Sequence, residues 1–109
     1  MMIAAAVVLL PRPGHADEAL EATYLRYQQA IQAEAVCKHR DFDTDDNTRI
    51  ASYVEGKVHH RVGPDQRLTL IERARLQIDQ LVEQRGCDSA EIGDFLTVFV
   101  TELAPILAK

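Results

Sequence analysis

Two cysteines, Cys37 and Cys87, stand 50 residues apart in a chain of 109 residues. A pair of cysteines in a small domain from an oxidising compartment is a disulfide as a rule, and any fold open to this chain must then bring these two positions together. Closing a loop of that length stabilises a fold by roughly 4 kcal/mol in the chain-entropy account, a large share of a small domain's total. The rival is a reactive or metal-binding thiol. The sequence has no C-x-x-C, and Cys37-Lys38-His39 has no second ligand cluster nearby, so the disulfide leads.

The N-terminus points to the same compartment. Met1 to Leu10 reads MMIAAAVVLL, an uncharged apolar run of signal-peptide length, short of the roughly 20 residues a membrane-crossing helix needs. Pro11, Arg12, Pro13 and Gly14 break it, and Gly14-His15-Ala16 is a small-x-Ala cleavage pattern. The expected organisation is a signal peptide over residues 1–16 and a single helical domain over 17–109, periplasmic or secreted. The alternative is an apolar helix packed in the core, against which the uniform apolar composition speaks. No second run is long enough to span a membrane, so no membrane span is expected in the mature chain.

Composition then selects the fold class. Hydrophobic residues are 47% and charged residues 27%, a folded chain's balance, while only 6% are aromatic and Trp is absent, so the core rests on Leu, Ile, Val and Ala. Five Gly and four Pro are too few for a loop-rich β fold. The apolar spacing is helical throughout. Leu20, Tyr24, Tyr27 and Ile31 give one stripe over about Asp17 to Lys38, with Ala30, Ala33 and Cys37 beside it to admit a close neighbour. Ile50, Tyr53, Val54 and Val58 give a second, capped near Thr44–Asp46 by Asp or Thr and stopped at Gly63-Pro64, with Gly56 inside it marking a close helix contact or a bend. Ile71, Ala74, Ile78, Leu81 and Val82 give a third, started by Asp65 or by a Thr69/Glu72 capping box and ended at Gly86. A D-x-x-E start at Asp88 and Glu91 opens a fourth, lined by Ile92, Phe95, Leu96, Phe99 and Leu103 and ended by Pro105. The expected fold is all-α: a small four-helix domain with short connections, antiparallel neighbours and one disulfide, Cys37–Cys87.

Few residues announce chemistry. Asp41, Asp43, Asp45, Asp46 and Asn47 form the densest acidic cluster. Counted from Asp41 it opens like a calcium loop, but Asp46 replaces the glycine at position six and Ser52 the glutamate at twelve, so a solvated loop whose acids cap the second helix is the stronger reading. His59 and His60 fall near the expected end of that helix, where a protonated imidazole suits the helix dipole. With Asp41, Asp43, Asp45 and Asp46 they are the candidate pH-sensing or ion-binding groups. Arg67, Arg73, Arg75 and Arg85 alternate with acids along the third helix, as on a solvated face. The sequence has no G-x-S-x-G, H-E-x-x-H, P-loop or G-x-G-x-x-G, so no catalytic residue, cofactor or metal is assigned. A formal charge of −5 argues against nucleic acid as a partner.

The segment from Cys37 to about Leu103 resembles the Hde acid-stress chaperones of the bacterial periplasm. The resemblance is carried by Cys37, by Tyr53-Val54-Glu55-Gly56, and by Cys87 with Phe95 eight residues on. It implies a homodimer that loosens at low pH and exposes apolar surface to unfolding clients. A second resemblance is to Tai-type periplasmic immunity proteins, although Ile50 stands where those carry an inner cysteine. The resulting expectation is an exported, non-catalytic binding or chaperone-like protein with a stress role, responsive to acid, whose partner is a protein client held on Tyr53, Val54 and Val58. The runner-up is an inhibitor or immunity protein for a specific toxin or hydrolase, and a third reading is ion binding by the acidic cluster. The intact mass of protein taken from the cell envelope should lack residues 1–16 and show no alkylatable thiol; a mass that includes Met1 would overturn the targeting expectation.

Overall fold

Residues 15–108 are described by the computed structural model; Met1 to Gly14, on which most of the targeting expectation rests, lie outside the described residues. The first helix, α1 (His15–Cys37), runs for 23 residues with no Gly or Pro and with alanine at six positions, the best helix former. Asp17 and Glu18 in its first turn suit the positive end of the helix dipole.

The second helix, α2 (Thr44–Lys57), starts where the acids predict. Asp43 is the N-cap and its carboxylate accepts from the Asp46 N–H at 2.8 Å, while Asp46 returns the favour to the Asp43 N–H at 3.2 Å. It ends six residues before the expected Gly63. The cause is a left-handed turn: His59 and His60 have φ of 57° and 55°, and their N–H groups reach back to Gly56 O and Glu55 O. This is a Schellman-type closure with histidine in the place glycine usually takes. His59 and His60 therefore sit in the turn after the helix. Gly56 is exposed with open space around it, so no close helix contact explains it.

The third helix, α3 (Pro64–Arg85), begins at the Gly63-Pro64 pair that the sequence reads as a stop. Pro64 occupies the first helical turn, where its missing N–H costs nothing. Neither Asp65 nor Thr69 is the cap. Gly86, at φ 85°, ends the helix as expected. The fourth, α4 (Ala90–Val98), is capped one residue later than predicted, by Ser89 Oγ on the Ile92 N–H. Pro105 does not end it. The chain passes instead through a π-helical turn (Phe99–Leu103) into a last turn, α5 (Ala104–Leu107). A proline clashes with the carbonyl four residues back and offers no N–H to it. The wider turn accommodates this, with the Ala104 N–H bonding to Phe99 O five residues earlier. Among the described residues there are four helical rods and no strand, the all-α fold expected.

Every rod packs on α1. The contacts Gln29–Gln77, Gln32–Asp79 and Cys37–Cys87 advance together along both helices, so α1 and α3 run parallel, while α2 and α4 run back along α1 in the opposite sense. Ala30 and Ala33 of α1, both fully buried, admit the bulkier Phe99, Ile78 and Ile92. One core cluster joins Tyr24, Tyr27, Ile50, Val54, Val58, Phe99 and Leu103; a smaller one gathers Ala33, Ile78 and Ile92 beside Phe95, Leu81 and the disulfide. Cys37 and Cys87 are bonded, with α-carbons 5.7 Å apart. Replacing both by serine is expected to lower unfolding stability by about 4 kcal/mol, read as a drop in denaturant midpoint at constant slope.

Candidate functional site

The way α2 is held in place is the most distinctive polar arrangement in the protein. Its apolar stripe, Ile50, Val54 and Val58, is buried against the bundle. Around that stripe each polar clasp ends on a carboxylate.

The first clasp is in the π turn. Tyr27 of α1 and Tyr53 of α2 meet edge to face, ring centroids 6.0 Å apart. Both hydroxyls donate to the same oxygen, Glu102 Oε1, Tyr53 at 2.9 Å. The Lys57 ammonium stands 5.2 Å over the Tyr53 ring. The hydrogen bond from Tyr27 holds the Glu102 carboxyl below its ordinary range against the opposing effect of burial, helped by Tyr53, Lys57 and Arg26. Burial, and then the same carboxylate, push the Tyr27 phenol well above its usual value.

The second clasp is at the α1–α2 corner. Arg40 pairs with Glu34 at 3.3 Å and lies over the rings of Phe42 and Phe99, at 5.8 and 5.3 Å. Glu34 is the one charged side chain buried among the described residues, and its second oxygen, Oε1, is buried with no hydrogen-bond partner. The third clasp joins α2 to α3: Arg67 lies 3.3 Å from Glu55, with His60 Nδ1 at 3.9 Å from the same carboxylate. The fourth is the Asp43–Asp46 box that starts the helix.

α2 and α3 both rest on α1 but stand apart from each other. The gap is a cleft of about 550 Å³ floored by Ile31, Ile50, Val54 and Ile71. Tyr24, Gln28, Glu55 and Arg67 line it, as do Asn47 and Ala51. Burial, and then Glu55, raise the Tyr24 phenol, against the lowering effect of Arg67.

The residues singled out from sequence are dispersed across this arrangement. Tyr53 is in the first clasp; Val54 and Val58 are core, at 1% and 0% exposure. Asp43 and Asp46 are engaged in the cap, whereas Asp41 and Asp45 are exposed. His59 is exposed in the turn and His60 borders the cleft. Among the described residues no group of three or more His, Cys, Asp or Glu could hold a metal ion, and no helix is long and apolar enough to cross a membrane. Glu102, Glu34 and Arg40 were not legible as site residues, and Arg67 reads in the sequence as part of a solvated charged face, with a partner-binding stripe as the weaker alternative. Glu102 follows buried Phe99 by three positions, which was the available signal. In comparison with known proteins, the chain matches no family model, no curated protein and no solved structure.

The sign of the Glu102 contribution is fixed by its direction of shift. A carboxyl lowered in the folded state contributes stability above its unfolded pKa, and this is lost as pH falls through the folded value. Glu102→Gln keeps an acceptor for the tyrosines but no charge. It should cost on the order of 1 kcal/mol at neutral pH. It should also flatten the fall of unfolding free energy as pH drops below about 5, measured by denaturant titration.

Proposed function

We propose that this chain is an exported, non-catalytic, acid-responsive protein-binding module of the chaperone kind, in which α2 is the element that yields. The observation that carries the reading is the set of clasps. Glu102 and Glu55 tie α2 to its neighbours, Glu34 ties down the segment that leads into it through Arg40, the Asp43–Asp46 box stabilises its first turn, and each contact uses a carboxylate. Glu102, whose carboxyl is lowered in the folded state, gives up its stabilising charge as pH falls through that folded value, and loss of carboxylate charge acts in the same direction on every contact of this kind. The ion pairs lose their attraction, the cap loses its charge-assisted bonds, and the arginines and lysines left behind repel one another. What α2 then uncovers is apolar: Val54 and Val58 on its own inner face, with Tyr53 beside them, and Tyr24 and Tyr27 on α1. This is the surface an unfolding client would bind. The disulfide supports export, since such bonds persist in oxidising compartments.

A titration with a hydrophobic dye from pH 7 to pH 2 tests the proposal, alongside aggregation of an acid-labile client. Dye emission should rise below about pH 4, as the carboxylates protonate, and client aggregation should fall with it. A flat dye signal with unchanged aggregation would sink the acid-responsive reading. It would leave an inhibitor or immunity role, in which the folded surface is the one that binds.

A further inference from the structure

We infer that the cleft between α1, α2 and α3 is a docking groove of the folded protein at neutral pH, and that its occupant is an extended apolar peptide segment with basic residues at one end. The inference rests on the reading of this chain as a protein-binding module but needs no movement of α2.

The volume, about 550 Å³, is within the range of ligand-binding clefts, and the floor is wholly aliphatic. The lining side chains are neutral or mutually compensated. Gln28 and Asn47 are amides, each both donor and acceptor, and Arg67 is already paired with Glu55. Such a lining suits the unpaired N–H and C=O groups of an extended backbone better than it suits an anionic headgroup or a phosphate. The two ends differ in charge. At one end the Glu55–Arg67 pair, bordered by His60, closes the gap. At the other, the face of α2 that lines the cleft through Asn47, Ala51 and Glu55 continues one turn back to Asp43 by four-residue spacing, and through Ile50 to Asp46. The two carboxylates of the helix cap, Asp43 and Asp46, therefore stand at this end of the groove. The charge complement of that end is lysine or arginine.

The probe is a fluorescein-labelled peptide, Ser-Leu-Val-Leu-Lys-Lys, with Ser-Leu-Val-Leu-Glu-Glu as its acidic counterpart. Fluorescence anisotropy is read at pH 7.5 on the intact, oxidised protein. The basic peptide should bind saturably, with the acidic one at least tenfold weaker. Added salt should narrow that difference. Ala51 is exposed and lines the cleft, so Ala51→Phe fills the groove without touching the core; it should weaken the basic peptide at least tenfold. Asn47→Trp fills the acidic end and serves as an independent second block should the first variant fold poorly. Asp43→Asn with Asp46→Asn retains good capping residues while removing both charges, and should erase the preference for the basic peptide. No saturation, equal binding of both peptides, or full binding by both filled-groove variants would overturn the proposal. Acid-induced dye binding by Ala51→Phe reports separately on the acid response, so failure of the groove and failure of the acid reading are told apart.

Discussion

The fold depends on the close approach that two alanines allow. Ala30 and Ala33 lie on the buried side of α1, fully covered, where any larger side chain would push the neighbouring rods outward. Because they are small, Phe99 reaches one core cluster and Ile78 with Ile92 the other, both against the same helix. α1 is thereby a central post, not one corner of a square bundle. α3 lies along it in parallel, α4 returns beside it, and α2 lies across the remaining side. All six aromatic side chains of the chain lie in or against the two clusters, and branched aliphatic side chains fill the narrow spaces left between the closely spaced rods. The disulfide sits at the end where α1 and α3 finish together, and fixes their register there.

What could be read from the residues was the periodicity and most of the punctuation. Tyr24, Tyr27, Ile50, Val54, Ile78, Ile92 and Phe99 are buried as their spacing requires, because a 3.6-residue stripe in an uninterrupted segment leaves little freedom. An Asp cap for α2 was legible because its side-chain chemistry is local, although it was expected near Thr44–Asp46 and is Asp43. The errors share one cause. Gly63-Pro64 carries signals valid for a stop and for a start, and what decides is whether the preceding helix is still running; the left-handed His59–His60 turn had already ended it. No residue preference announces two histidines in that conformation. Likewise Pro105 predicts a break only if the preceding turn is α-helical, and the π turn removes that condition.

The site was less legible than the fold for a related reason. A carboxylate that joins two helices is defined by tertiary geometry, and in the sequence Glu102 is one acid among seventeen Asp and Glu. The extra residue in the π turn rotates the chain that follows it relative to a regular helix. That offset sets Glu102 beneath the hydroxyls of Tyr27 and Tyr53 while Phe99 and Leu103 both stay in the core. Glu34 is similar: three residues from the Cys37 that dominates its neighbourhood in sequence, it acquires its meaning from Arg40 folding back over Phe42 and Phe99.

The parallel pairing of α1 and α3 has a kinetic consequence. Residues 38–63, which contain α2, leave the C-terminal end of one post and enter the N-terminal end of the other, and the disulfide with the Gln29–Gln77 and Gln32–Asp79 contacts keeps those posts together. An excursion of α2 is thus a loop tethered at both ends, not a step toward general unfolding. Its return is a unimolecular search over a few tens of ångströms, a process on the order of microseconds for loops and hairpins of this length. At neutral pH, where the carboxylate contacts re-form on return, re-covering the apolar face by the chain's own helix can outpace most bimolecular encounters with a second exposed face, so the topology guards the molecule against aggregating with its own copies under those conditions.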